Sequence, residues 1–116
     1  MRDHTRPRAF ELGDSLALAV YRATKSFPRQ ELFGLTSQMR RAAVSVASNI
    51  VEGCARYSEA EYLRFLEMAF GSAREVEYQT TVAYRLEYLN DSDFHELNNL
   101  CVETAKVLGA LLQSLK

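Results

Sequence analysis

The side chains that most often perform catalysis are scarce in this chain and lack catalytic spacing. His95 follows Asp91 by four residues, so both can share one face of a helix, but one such pair does not form a metal site. The other histidine, His4, lies near the N-terminus. The chain contains no HExxH or Glu-x-x-His pattern and no glycine-rich phosphate-binding loop. We therefore expect a protein that is not an enzyme and that needs no metal and no cofactor.

The two cysteines, Cys54 and Cys101, do not form a Cx2C motif. We expect both to be small buried side chains in a reducing compartment. No apolar run approaches the roughly 20 residues that a membrane-spanning helix needs. The N-terminus also lacks the apolar core of a secretion signal. These features predict a cytoplasmic protein with no membrane partner.

Arginine side chains offer a different chemistry, the binding of phosphate groups. Residues 1–56 hold nine Lys and Arg against five Asp and Glu, whereas residues 57–116 hold five against ten. Arg6 and Arg8 precede the first predicted helix, and Arg41 and Arg56 lie on and just past the second, so these four are candidate contacts to nucleic acid. Two other interpretations stay open. The basic half can pair with the acidic half within the fold, or a chain of net charge −1 can carry a solvated surface of mixed charge.

Four amphipathic segments with short breaks must position these residues. Apolar spacing predicts helices over about residues 10–26, over about residues 29–54, from a Ser58–Glu61 capping box to about Leu89, and from the Asn90–Ser92 break to about Leu115. Gly53 is expected to end the second helix. Since no strand pattern competes, we expect one all-α domain over residues 1–116, an antiparallel up-down four-helix bundle. Residues 1–9 are expected to form a flexible basic tail.

The second predicted helix has apolar side chains on two of its faces. In addition to the seam expected in the core, a second arc contains Phe33, Ala43, Val44, Ala47 and Val51. A helix of a lone bundle needs only one apolar stripe, so the second arc predicts packing against another subunit. The alternative is that both faces pack against neighbours within the same bundle.

Two charged residues lie in or beside apolar stripes. Arg40 falls within the second arc of the second helix, and Glu77 lies at the edge of the apolar face of the third. A charge in such a place needs a partner or a route to water. We expect both residues to be structural, either snorkelling to solvent or pairing between helices or subunits.

The second helix also carries a recognisable series of motifs. They are Phe27-Pro28, Glu31-Leu32-Phe33-Gly34-Leu35, Gln38-Met39-Arg40-Arg41-Ala42-Ala43-Val44-Ser45 and Ser48-Asn49-Ile50-Val51-Glu52-Gly53. The third helix continues the pattern with Phe65-Leu66, Ala69, Gly71-Ser72, Glu75 and Glu77. Over about residues 10–90 the chain resembles the four-helix-bundle proteins encoded within intervening sequences of 23S ribosomal RNA.

This resemblance implies a ring-shaped homopentamer. It also implies kinship with the accessory proteins of diversity-generating retroelements, which are similar pentamers that bind a reverse transcriptase and nucleic acid through basic surfaces. The expected function is therefore that of a non-enzymatic homo-oligomer associated with RNA or a ribonucleoprotein. Its expected partners are copies of itself, RNA, and a reverse transcriptase or another RNA-associated protein. The alternative is a structural adaptor between proteins that does not contact nucleic acid.

Overall fold

The structure, a computed structural model, describes residues 1–5 and 7–116. The chain so described contains four α-helices and no β-strand: α1 (Arg8–Thr24), α2 (Leu35–Cys54), α3 (Glu59–Arg85) and α4 (Asp91–Ser114). Helix α1 packs against α2 and α4, and α3 packs against the same two helices. One cluster of buried apolar side chains, drawn from all four helices, lies between them. The prediction of an all-α fold with four helices is confirmed, and none of the helices in the described ranges is long and apolar enough to cross a membrane.

Two of the helix starts follow the capping residues that the sequence indicates. The Ser58 hydroxyl accepts a hydrogen bond from the Glu61 backbone N–H at 3.2 Å, and the Asn90 side chain accepts one from the Asp93 N–H at 2.7 Å. Each bond satisfies one of the free N–H groups that the first turn of a helix leaves. Helices α3 and α4 therefore begin where their caps predict.

The second predicted helix is interrupted, which corrects its expected start at residue 29. A single 3-10 turn spans Arg29–Glu31, and α2 begins only after Gly34. One carboxylate oxygen of Glu31 accepts the Leu35 N–H at 3.1 Å, and the other accepts the Tyr88 hydroxyl at 2.9 Å. A Cβ on Gly34 would lie 2.6 Å from that first oxygen, so a glycine leaves the room that the carboxylate needs. The glutamate thus caps α2 and ties it to the turn after α3.

Helix α3 ends at Arg85, four residues before its expected end. Glu87 takes the left-handed conformation with φ 65°. Its N–H donates to the Tyr84 carbonyl, and the N–H of Tyr88 donates to the Ala83 carbonyl. This is the Schellman arrangement, which a glycine normally makes possible. Because a glutamate holds the position here, the sequence carries no visible stop signal.

Gly53 does not terminate α2, contrary to the prediction. It is a helical residue of α2, and no glycine among the described residues has a positive φ. A Cβ on Gly53 would lie 2.9 Å from the Cβ of Phe65. The role of this glycine is therefore to let α2 and α3 approach each other closely.

The N-terminal segment is shorter than the predicted tail of residues 1–9, since α1 already begins at Arg8. The Arg2 N–H donates to the Cys54 carbonyl at 2.7 Å. The Arg2 guanidinium lies 3.8 Å from the centre of the Tyr62 ring and pairs with Glu59. These contacts join the start of the chain to the end of α2 and the beginning of α3.

Candidate protein interface

A surface formed by α1, α2 and the segment between them exposes apolar side chains. Val44 and Val51, both predicted to lie on the second apolar arc, are 40% and 37% exposed. Ala47 is half-buried on the same surface, whereas Ala43 is fully buried in the core. The second arc is thus divided. Ala43 packs inside the chain, whereas Val44, Ala47 and Val51 are only partly covered by other side chains.

Next to the start of α2, this surface forms a depression of about 510 Å³, here called the aromatic hollow. It is lined by Tyr21, Leu32, Phe33, Ser37, Arg40, Arg41 and Val44. The Phe33 side chain is 93% exposed, and the neighbouring Leu32 is also exposed. The 3-10 turn and the Glu31 cap fix the backbone on both sides of these two residues. The fold therefore presents an aromatic ring to solvent from a segment with hydrogen bonds on both sides.

Next to the end of α2, the same surface forms a second depression of about 420 Å³, here called the acidic hollow. It is lined by Asp14, Ala17, Val44, Ala47, Ser48, Val51 and Glu52. Most of these side chains are small, which leaves space above the α1–α2 contact. Val44 belongs to both hollows, so the two form one continuous surface, here called the α1–α2 face.

Arg40 contacts α1 through polar and aromatic groups. Its Nε donates to the Thr24 hydroxyl at 2.9 Å, and its guanidinium lies 4.7 Å from the centre of the Tyr21 ring. The carboxylate of Glu77 lies 3.5 Å from Arg74 of the same helix. Neither residue forms an ion pair between helices in the described part of the chain. A pair between subunits stays a prediction for both.

The four candidate arginines do not form one patch. Arg6 lies outside the described residues, and Arg8 pairs with Glu103 at 3.1 Å. Arg56 stacks over the Phe65 ring at 4.8 Å, just past the end of α2, whereas Arg41 lines the aromatic hollow. The helix between Arg41 and Cys54 is about 20 Å long at its rise per residue. The structure therefore places Arg41 and Arg56 on different parts of the molecule.

A protein-family model and a solved structure both match this chain. The family model described as 23S rRNA-intervening sequence protein matches residues 8–110. The chain belongs to this family. A crystal structure of a protein of unknown function from the S23 ribosomal protein family of Bacteroides thetaiotaomicron matches with a TM-score of 0.82 and 24% identity, over 90% of this chain and 95% of that chain. At this identity the likeness establishes the fold alone, and the comparison with curated proteins gives no match.

Several side chains of this family member that could take part in chemistry are engaged in contacts within the fold, and its two thiols are buried. Tyr84 donates a hydrogen bond to Asp91 at 2.6 Å, and the exposed His95 contacts the Phe94 ring. Burial raises the pKa of the Cys101 thiol to about 12, and it also raises the pKa of the Cys54 thiol. Thiols held in this form are poor nucleophiles. Within residues 1–5 and 7–116, no three His, Cys, Asp or Glu side chains come together as a metal site.

Sequence reasoning missed the contribution of α1 to the α1–α2 face. Asp14, Ala17 and Tyr21 follow one another at spacings of three and four residues, which places them on one side of a helix. That stripe borders the second arc of α2 and supplies one wall of each hollow. The signal was present in the sequence, but only the packing of α1 against α2 shows that the two stripes adjoin.

Proposed function

We propose that this member of the 23S rRNA-intervening sequence protein family is a non-enzymatic protein that works as a homo-oligomer. The observation that carries the proposal is the α1–α2 face, where Val44, Val51 and Phe33 stay exposed beside two hollows. Exposed apolar side chains that lie together on one face favour an interaction site more than singly scattered ones do. Following the family resemblance, the proposed assembly is a ring-like homopentamer of antiparallel up-down four-helix bundles.

The contact that this role requires would cover only part of the molecular surface. A standard interface takes about 800 Å² from each partner. That is roughly an eighth of the 6866 Å² of accessible surface on the chain. The two hollows adjoin along most of α2, and the molecule is 43 Å long. The proposed assembly needs a contact of that area along this face.

The test is the effect of a buried charge on assembly. Val44→Glu should convert the oligomer to a 13.2 kDa monomer in mass photometry or sedimentation, because a carboxylate in a closed apolar contact loses its hydration. Val102→Glu is the matched control, since Val102 on α4 is 44% exposed but lies away from the α1–α2 face. A wild-type protein that stays monomeric at micromolar concentration would contradict the proposal. So would an oligomer that Val44→Glu leaves intact.

The proposal extends to association with RNA or with a ribonucleoprotein, including a reverse transcriptase or another RNA-associated protein as partner. It is supported by Arg41 and Arg56, which are exposed and have no carboxylate within ion-pair distance in the described residues. A ring repeats each of them around its axis, so a chain of net charge −1 still presents belts of positive charge. Contacts of this type go to phosphates and carry little sequence preference.

Titration of labelled single-stranded RNA at low and high salt tests this extension. Binding should weaken with a log–log slope of about −0.7 per phosphate contacted. Arg56→Ala should reduce the slope, whereas Arg74→Ala, on an exposed part of α3, should leave it unchanged. An intact oligomer that binds no RNA at low salt would remove direct RNA recognition. The alternative function, a protein–protein adaptor without nucleic-acid contact, would then be favoured.

A further inference from the structure

The two hollows of the α1–α2 face carry opposite charges. Among the described residues that line the aromatic hollow, the charged ones are Arg40 and Arg41. Among those that line the acidic hollow, they are Asp14 and Glu52. None of the four forms an ion pair with another described residue of the same chain. The positive charge of the aromatic hollow in one copy is therefore complementary to the negative charge of the acidic hollow in another copy.

The two hollows also differ in shape. Phe33 projects beside the aromatic hollow and is 93% exposed, and the cap formed by Glu31 holds its segment against α2. The lining of the acidic hollow includes Ala17 and Ala47, whose short side chains leave room for a ring. One end of the face thus projects an aromatic side chain, and the other end offers an apolar depression.

We propose that Phe33 of one copy docks in the acidic hollow of a neighbouring copy. In this contact Arg41 lies against Glu52 of the neighbour, and the ring packs on Ala47 and Val51. The proposal rests on the self-association proposed above and specifies how it is made. The donor and acceptor surfaces are different parts of the chain, and we place them on two different neighbours, so that each copy binds one neighbour with each end. A head-to-tail contact of this kind is what a closed ring requires.

Complementation between two variants tests the contact. Phe33→Ala removes the projecting ring but keeps the hollow, and Val51→Glu blocks the hollow but keeps the ring. Each variant alone should be a monomer of 13.2 kDa in mass photometry. An equimolar mixture should form a particle of twice that mass, because a single intact contact joins one chain of each kind. Both side chains are at the surface, and circular dichroism of each variant verifies that the helices are intact.

Tyr57→Ala is the matched control for Phe33→Ala, because Tyr57 is 86% exposed and lies outside both hollows. This variant should assemble as the wild type does. A mixture that stays monomeric, or a Phe33→Ala protein that assembles normally, would overturn the proposed contact. If the contact fails in this way but the Val44→Glu protein is still a monomer, the α1–α2 face remains the site of self-association and only the head-to-tail geometry is wrong. A wild-type particle of only two chains would also overturn that geometry.

Charge reversal provides a second, independent measurement. Arg41→Glu and Glu52→Arg should each weaken assembly, since each places like charges together in the contact. The two changes combined in one chain should restore it, because the complementary pair is re-formed with its signs exchanged. A combined variant weaker than both single variants would show that Arg41 and Glu52 do not meet.

Discussion

Alanine replacement of two helical glycines is expected to change the stability of the protein in opposite directions. A Cβ on Gly53 of α2 would lie 2.9 Å from the Phe65 Cβ and 3.4 Å from the Tyr62 carbonyl oxygen. Neither of these atoms is the free end of a flexible side chain, so α2 and α3 must move apart. On Gly71 of α3, a Cβ would meet no other atom within 4 Å.

The expected free energies follow from this difference. Alanine favours a helix interior over glycine by about 0.8–1 kcal/mol, and Gly71→Ala should gain most of that. Gly53→Ala gains no more than the same amount, but forcing a methyl group into a packed contact costs about 1–3 kcal/mol. The net loss for Gly53→Ala is therefore about 1 kcal/mol, and the two variants should differ by about 2 kcal/mol. For a domain of this size the difference corresponds to roughly 8 °C in melting temperature.

Urea unfolding of both variants and of the wild type measures these values. All three must be compared at one protein concentration, because assembly makes stability depend on concentration. If Gly53→Ala proved as stable as Gly71→Ala, α2 and α3 would not approach as closely as the structure shows. A destabilised Gly71→Ala protein would refute the other half of the reasoning, because it would mean that another surface packs against this part of α3.

Three further substitutions test other contacts. Glu87→Gly should stabilise the protein by about 1 kcal/mol in urea unfolding, because glycine adopts the left-handed conformation without the penalty that a side chain incurs. Arg40→Met should cost about 1–2 kcal/mol, the value of a charged hydrogen bond to Thr24 partly offset by apolar packing, and not the roughly 3–5 kcal/mol lost when a buried ion pair is broken. The hydrogen bonds that Glu31 accepts, first from the Leu35 backbone N–H and then from the Tyr88 hydroxyl, hold the pKa of this carboxyl below its ordinary 4.5. These hydrogen bonds stabilise the folded protein when the pH is above the ordinary pKa of the carboxyl group. That stabilisation is lost as the pH falls through the lowered pKa. Glu31→Gln should therefore be less stable than the wild type at neutral pH, and chemical unfolding should show the gap closing in acid.

The helices that the sequence predicts well are those whose ends are marked by local side-chain chemistry. Ser58 and Asn90 are capping residues recognisable from type alone, and both act as predicted. The two misplaced boundaries depend on contacts that no local pattern reveals. The start of α2 needs the Glu31 carboxylate, which also binds Tyr88 after α3, and the end of α3 places a glutamate where glycine is expected.

The α1–α2 face was predicted only in part for a similar reason. Helical spacing correctly indicates a second apolar arc on α2, but it does not distinguish Ala43, which is fully buried, from Val44, which is 40% exposed. That distinction depends on where α1 crosses α2. The opposite charges of the two hollows also come from both helices, since Asp14 belongs to α1 and Glu52 to α2. Periodicity along one helix cannot reveal a surface that two helices share.

In the proposed ring, some arginines are already engaged within the fold or between subunits, and this restricts the proposed binding of RNA. Arg8 pairs with Glu103, and in the proposed head-to-tail contact Arg41 faces Glu52 of the next copy. Of the three candidate arginines within the described residues, Arg56 then remains free of a carboxylate partner. If Arg56 alone contacts phosphate, a ring of five would make five such contacts, and the salt slope for a single strand should be about −3.5. Proteins that bind nucleic acid strongly through charge make about 6–10 phosphate contacts, so Arg56 alone should give weak RNA binding, and other basic residues of the ring or a partner protein would have to supply more.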